Sequence, residues 1–280
     1  MTVYLNGRFV AEADANVSVF DRGFLYGDGL FETIRVYAGK PFRWPQHLQR
    51  LRKGAAFVGI VLGPTDAELA GIATELLLRN QMVEAILRIA LSRGIGSRGY
   101  SPKGADSPTL VMSLHPVIAK PTREVPQWKV VTSAYRVAVG DPLLVIKSAS
   151  RLLNVLARAE AEARGADESL LVNTDGHIAE AAGSNLFWIE GGTVCTPPLE
   201  SGVLEGVTRG LVLEICRGLE IPVAIKNAAP SALHDAAGVF LSNSGLEIVE
   251  VVELDGKPLK RSPLAARLSD SYALQILVEC

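Results

Sequence analysis

Cysteine is scarce: Cys195, Cys216 and Cys280 are the only three in 280 residues. They are too few and too scattered for a disulfide framework, and no C-x-x-C or Cys/His cluster offers a zinc site. The four histidines, His47, His115, His177 and His234, lack ligand spacing, so no metal is expected. Neither sign of charge is in surplus: Lys+Arg number 28 and Asp+Glu 30, a net charge of −2. A sequence-independent nucleic-acid binder needs a basic excess, so that class is excluded, while a local basic pocket for a small anion stays open. No apolar run approaches the ~18 residues that span a bilayer. The opening Met1-Thr2-Val3-Tyr4-Leu5-Asn6-Gly7 has neither the basic nor the apolar region of a signal peptide. The expectation is a reduced, cytoplasmic protein with no membrane or nucleic-acid partner. Repeats, low-complexity tracts, G-x-x-x-x-G-K-[ST] and G-x-S-x-G are also missing. Gly94-Ile95-Gly96-Ser97-Arg98-Gly99 matches G-x-G-x-x-G, but Tyr100-Ser101-Pro102-Lys103-Gly104 is a poor helix start. No acidic residue ends a second strand about twenty positions on, so a flexible loop is the better reading.

Hydrophobic residues make up 48% and charged residues 21%, the balance of a globular chain long enough to bury a core without staples. At roughly 150 residues per domain, about two domains are expected. The first is placed at 1–117. Val3-Tyr4-Leu5 and Arg8-Phe9-Val10 around Asn6-Gly7 signal a hairpin. Residues 30–37 alternate as a strand, Trp44-Pro45 opens a helix, and Thr65-Asp66-Ala67-Glu68 is a capping box for a second. Residues 84–92 and 108–114 read as further strands. Pro116, Pro121 and Pro126 mark 118–126 as an extended connector. The second domain, 127–280, holds predicted strands at 128–139, 143–147, 170–172, 185–190, 193–196, 239–241 and 248–254. Its predicted helices are 152–164, 206–219 and 263–278. With no regular βαβ beat, these elements indicate a mixed α/β (α+β) fold rather than a doubly wound sheet.

Five places combine residue types unusual for their surroundings. Lys147 follows the apolar Leu143-Leu144-Val145-Ile146; desolvation there would lower its pKa and make the amine a nucleophile. A strand-end lysine reaching for water is the plainer alternative. Glu180 sits among small residues in Ile178-Ala179-Glu180-Ala181-Ala182-Gly183, just before an apolar strand. Gly206-Val207-Thr208-Arg209 reads as a helix N-terminus, where unpaired N–H groups favour an anion. Ser242-Asn243-Ser244-Gly245 is a compact donor loop, and Arg50 lies in His47-Leu48-Gln49-Arg50-Leu51. Together they supply what pyridoxal 5′-phosphate requires: an amine for the aldehyde, an acid for the ring nitrogen and donors for a phosphate.

Several motifs then follow one another in a familiar order. They are Asp21-Arg22-Gly23, Tyr26-Gly27-Asp28-Gly29-Leu30-Phe31-Glu32, the Arg50 segment, Lys147 with Asn154-Val155-Leu156-Ala157, Glu180 through Ser184-Asn185-Leu186-Phe187, Leu204-Glu205-Gly206-Val207-Thr208-Arg209, and Ser242-Asn243-Ser244. Almost end to end, the chain resembles the class IV (fold-type-IV) pyridoxal-phosphate aminotransferases and their lyase relatives. The resemblance implies two α/β domains with pyridoxal 5′-phosphate between them, an amino-acid-like substrate, and a homodimer whose partner completes the site. It implies that Lys147 is joined to the cofactor and later moves the substrate Cα proton, and that Glu180 pairs with the pyridine nitrogen. Arg50, Val207, Thr208 and Ser244 would hold the phosphate, and Tyr26, Arg98 and Gly245 would meet the substrate.

Two features are similar to the family's enzymes that eliminate pyruvate from 4-amino-4-deoxychorismate and leave 4-aminobenzoate. One is Arg93-Gly94 followed by Arg98-Gly99-Tyr100-Ser101-Pro102. The other is Thr33, where branched-chain aminotransferases tend to carry glycine; Leu152 also stands where they tend to carry tyrosine. By this resemblance Thr33 assists proton transfer and Arg98 binds a substrate carboxylate. The plainer readings are a threonine chosen for β propensity and a solvated loop arginine. Gly245-Leu246-Glu247-Ile248 points the other way, toward D-amino-acid and branched-chain aminotransferases. The expected activity is the lyase, with amino transfer to a 2-oxo acid as the alternative and a non-catalytic ligand-binding protein as the remote one.

Overall fold

Asn6 and Gly7 both take positive φ, 46° and 88°, as a two-residue hairpin turn requires. They join β1 (Thr2–Leu5) to β2 (Arg8–Ala11). A computed structural model describes residues 1–117 and 124–280. After the hairpin come α1 (Arg22–Tyr26), β3 (Gly29–Tyr37), β4 (Lys40–Pro41), α2 (Trp44–Val58), α3 (Asp66–Asn80), β5 (Ala85–Ser92) and β6 (Thr109–Pro116). The six strands form an antiparallel sheet in the order β2-β1-β6-β5-β3-β4. The capping box forms: Thr65 Oγ1 accepts from the Glu68 N–H and the Glu68 carboxylate accepts from the Thr65 N–H.

Strand alternation decides what this sheet presents. One face sends Leu30, Ile34, Val36, Leu87, Ile89, Leu91 and Met112 into a core with Leu48 and Leu51 of α2 and Leu69 and Leu76 of α3. The other face carries Phe31, Thr33, Arg88 and Ser113, all half-buried.

The second sheet is mixed. Its elements are β7 (Gln127–Val137), α4 (Leu152–Ala163), β8 (Glu168–Asn173), β9 (Ile178–Ala181), β10 (Asn185–Glu190), β11 (Thr193–Thr196), α5 (Val207–Gly218), β12 (Val223–Ile225), α6 (Ala232–Asp235), β13 (Gly238–Asn243), β14 (Glu247–Leu254), β15 (Lys257–Pro258) and α7 (Pro263–Glu279). The order is β12-β11-β10-β13-β14-β7-β8-β9, with β15 on β14. The pairs β11/β12, β14/β7 and β7/β8 run parallel. Leu170, Leu186, Trp188, Leu241 and Val249 lie in its core. Among the described residues no helix is long and apolar enough to cross a membrane.

Contacts divide the chain into two units: Met1–Ala119 with Ile146–Arg151 and Val278–Cys280, and Lys120–Val145 with Leu152–Leu277. Residues 118–123 of the expected connector lie outside the described residues. Two expectations about the lysine segment are corrected. Residues 143–147 are a run of turns, not a strand, because Asp141 seeds them: its carboxylate accepts from the Leu143 N–H at 2.8 Å and its carbonyl from the Leu144 N–H at 3.2 Å. Lys147 also belongs by contact to the first unit, not to 127–280. β4 pairs only with Val36 and Tyr37 at the far end of β3, which leaves the Gly29–Phe31 edge open. Residues 147–149 pair there: Phe31 N–H donates to the Lys147 carbonyl at 3.0 Å and Ala149 N–H to the Gly29 carbonyl at 2.8 Å. Ile146 is buried in the first core.

Candidate active site

Those two backbone bonds hold Lys147 beside Phe31. Its Nζ lies 4.6 Å from the Phe31 ring centroid, and Arg88 Cζ lies 4.2 Å from the same ring. Thr33 is the cross-strand partner of Arg88, so it shares that face. The structure thus groups Lys147 and Arg88 around one ring, with Thr33 on the adjoining row. Sequence reasoning gave Arg88 no role, because its spacing on β5 reads as an ordinary outward residue.

On the opposite face, Glu32 stands in the buried row of Leu30, Ile34 and Val36 and is fully buried. Its two carboxylate oxygens accept from Arg50 Nε and Nη2, each at 2.7 Å, and Oε2 also accepts from His47 Nδ1 at 2.7 Å. Burial by itself would raise the Glu32 carboxyl, but the charge and hydrogen bonds of Arg50, with those of His47, pull it down to about 2. Burial pushes the His47 imidazole down, while the hydrogen bond and charge of Glu32 act the other way. Arg50 was expected at a phosphate; Glu32 takes two of its five N–H groups and fixes the orientation of the fork. Alternation along β3 was the signal that could have found this acid on a core face.

Glu32→Gln is expected to destabilise the protein by about 3–5 kcal/mol, because it leaves the Arg50 charge buried without its partner. The sign with pH follows from the lowered carboxyl. The Glu32 contribution, roughly 3 kcal/mol by linkage, is complete above about pH 4.5 and falls away toward about pH 2. Urea unfolding at pH 7 and pH 3 checks both points. A variant that loses as much stability on acidification as the wild type removes Glu32 from the account.

Near the start of β3, Asp21 caps α1 by accepting from the Gly23 N–H at 2.7 Å. Arg22 donates to the carbonyls of Gly99, Tyr100 and Ser101 and to Asp28. Tyr26 Oη accepts from the Gly99 N–H at 3.0 Å. The motif around Asp21 therefore clamps the loop that carries Arg98, while Arg98 and Tyr100 themselves are exposed. A Cβ on Gly94 would lie 1.9 Å from the Ser107 carbonyl oxygen, and its φ is +81°. That glycine is there for a close backbone approach and starts no helix.

In the second unit, β9 carries Glu180. Its Oε2 accepts from Asn185 Nδ2 and from the Leu204 N–H, both at 3.0 Å. Asn185 Nδ2 also donates to the Leu204 carbonyl at 2.9 Å. A Cβ on Gly206, the N-cap of α5, would fall 1.9 Å from Asn185 Oδ1. One asparagine thus packs against both the acid and the helix start. Sequence reasoning missed it; a polar side chain opening an otherwise apolar strand was the available signal. Val207 begins α5, and Thr208 Oγ1 lies 3.5 Å from Ser244 Oγ. Asn243 Oδ1 accepts from the N–H groups of Gly245 and Leu246 at 2.9 and 2.8 Å, which folds the Ser244 loop back. Val207, Thr208 and Ser244 thereby cluster at a helix N-terminus, where an anion is favoured. Gly245 is half-buried in the same turn.

Comparison with known proteins identifies the family. The sequence model of the Amino-transferase class IV family matches residues 29–254. A protein of Methanocaldococcus jannaschii, provisionally named a branched-chain-amino-acid aminotransferase, is 35% identical over 92% of this chain and 89% of its own. The aminodeoxychorismate lyase of Bacillus subtilis is 31% identical over 90% of this chain and 86% of its own. The crystal structure of a T.th. branched-chain amino acid aminotransferase with pyridoxamine 5′-phosphate matches with a TM-score of 0.91 at 28% identity, covering 97% of this chain and 92% of that one.

Proposed function

The chain belongs to the class IV aminotransferase family, and on that premise we propose that it is an amino-acid aminotransferase passing the amino group of its substrate to a 2-oxo acid. It is a fold-type-IV enzyme, and its cofactor is pyridoxal 5′-phosphate. The donor set fits that group in kind. Lys147 offers an amine beside an aromatic ring, Glu180 a carboxylate held by two donors, and Thr208 with Ser244 a pair of hydroxyls at a helix start. When bound, the cofactor supplies an electron sink for the pair left by the substrate Cα proton. We assign Lys147 as the amine that holds the cofactor and whose Nζ then takes the Cα proton. Glu180 holds the proton at the pyridine nitrogen, and Arg50, the Val207 N–H, Thr208 and Ser244 hold the phosphate.

The observation that carries the reading is the Lys147 amine, seated on Phe31 by its own backbone pairing with β3. Amino transfer is placed ahead of pyruvate elimination, reversing the order expected from sequence. The support is the 35% identity to the M. jannaschii protein and the 0.91 TM-score with a branched-chain aminotransferase. The lyase stands as the second reading because Thr33 lies on the Phe31 and Arg88 face and a lyase relative is 31% identical.

The purified enzyme, loaded with cofactor, is offered branched-chain L-amino acids and D-alanine, each with and without a 2-oxo acid, and separately aminodeoxychorismate. Acceptor-dependent amino transfer is the expected result. Release of 4-aminobenzoate and pyruvate with no acceptor present, and no amino transfer, would overturn the aminotransferase in favour of the lyase.

A further inference from the structure

β10 and β13 pair antiparallel, with Asn185 opposite Ser242, Leu186 opposite Leu241 and Phe187 opposite Phe240. Side chains alternate between the two faces. Asn185 therefore shares a row with Phe187 and Phe240, whose rings stack at 4.9 Å, while Leu186 and Leu241 point into the second core. One step past the Asn185–Ser242 pair, the core-side row reaches Ser184 and Asn243. There side chains close the ladder: Asn243 Nδ2 donates to the buried Ser184 Oγ at 2.9 Å. Each of the two belongs to a different part of the site. Ser184 ends the turn after Glu180, its carbonyl accepting from the Ala181 N–H at 2.8 Å. Asn243 folds the Ser244 loop, its Oδ1 accepting from the Gly245 and Leu246 N–H groups at 2.9 and 2.8 Å, and Ser244 Oγ lies 3.5 Å from Thr208 Oγ1. Those two N–H groups fix which end of the Asn243 amide is the oxygen and leave its nitrogen to face Ser184. One amide thus joins the turn of the acid to the loop of the hydroxyls.

We propose that Asn243 and Ser184 are a positioning pair that sets the spacing between the Glu180 carboxylate and the Thr208 and Ser244 hydroxyls, so that a phosphorylated pyridine is gripped at both ends at once. The assignment rests on the reading of Glu180 at the ring nitrogen and of Thr208 with Ser244 at the phosphate, and adds what fixes one against the other. A ligand held at one end presents its other end to the second donor set at high effective concentration, provided the two sets are spaced to match it. A framework tied beforehand also spares the cost of ordering the loop on binding. Two asparagines do this from opposite faces of one strand pair. Asn185 holds Glu180 and the Leu204 carbonyl ahead of α5, and Asn243 holds the Ser244 loop against the turn that follows Glu180. That turn does not depend on the Ser184 hydroxyl. Asn154 Nδ2 donates to the Ala182 carbonyl at 2.8 Å, and the Gly183 N–H donates to Glu168 Oε2 at 3.3 Å. Removing the hydroxyl uncouples two folded pieces and unfolds neither.

The test compares the full-length wild type, Ser184→Ala and Ser184→Thr, each freed of cofactor, by calorimetry with three probes. Pyridoxine 5′-phosphate reaches both ends, pyridoxine only the ring end and inorganic phosphate only the other; none carries an aldehyde, so binding is read independently of Lys147. Ser184→Ala is expected to weaken pyridoxine 5′-phosphate about 10-fold, the scale of one hydrogen bond, and the two single-ended probes by less than about 2-fold. Ser184→Thr, which keeps the hydroxyl, restores the two-ended affinity. In the loaded enzyme, kcat of Ser184→Ala falls while KM for the amino donor holds. A hydroxyl that served only the fold would lower Tm without separating the probes. Equal weakening of all three probes, or unchanged affinity for pyridoxine 5′-phosphate, would overturn the proposal. Thr208→Val separates it from the reading beneath, because that variant should weaken inorganic phosphate and pyridoxine 5′-phosphate but not pyridoxine. If Thr208→Val leaves phosphate binding unchanged, the phosphate assignment fails and the pair loses its role with it. If Thr208→Val weakens phosphate while Ser184→Ala weakens nothing, the phosphate assignment stands and the positioning pair is refuted.

Discussion

Lys147→Ala is expected to fold normally and to lose at least about 1,000-fold in turnover, since on the proposed assignment it removes both the group that holds the cofactor and the base for the Cα proton. The fold survives because the segment is anchored through its main chain. The bonds from Phe31 N–H to the Lys147 carbonyl and from Ala149 N–H to the Gly29 carbonyl do not involve the side chain, and Ile146 remains in the core. Loss of activity with unchanged Tm is therefore the signature. Borohydride treatment of the coloured wild type should trap the cofactor on the peptide containing Lys147, and the variant should give no such peptide. Label on another lysine, or a variant that turns over at the wild-type rate, would remove Lys147 from the chemistry.

Glu180→Gln should keep the cofactor and lose roughly 100- to 1,000-fold in kcat, the scale of removing one preorganised charge from a reacting centre. The substitution is isosteric. A glutamine Oε1 can still accept from Asn185 Nδ2 and the Leu204 N–H, so neither the β9 segment nor the start of α5 need move. What disappears is the negative charge that, on the proposed assignment, keeps a proton on the ring nitrogen. Cofactor affinity and Tm should change little while kcat falls. An unchanged kcat would show that the carboxylate has only a structural role beside Asn185.

Much of the first sheet is legible from local pattern. The Asn6-Gly7 hairpin, the alternating β3 and the Thr65–Glu68 box each depend on residues a few positions apart, and each forms as read. The helix expected from 206 begins at Val207, and Thr208 lies 3.5 Å from Ser244. The misreadings share one cause. The apolar run before Lys147 has strand composition, but Asp141 and the open edge of β3 decide its conformation, and that edge is more than a hundred residues away in sequence. Glu32 was visible only as one letter in a motif; its bond to Arg50 joins a strand to a helix across the first core.

Residue chemistry along the chain determined that a lysine in an apolar run, a carboxylate among small residues and two hydroxyl-bearing segments are present and in what order, because side-chain type and short-range spacing are properties of the covalent chain. Tertiary structure alone decided that Lys147 docks on the Phe31 edge, that Glu32 is committed to Arg50 and His47, and that Arg88 faces the same ring as Lys147 with no carboxylate partner among the described residues. Those outcomes depend on which strand edges remain open and which charges meet once distant segments pack, and neither leaves a periodic trace in the sequence.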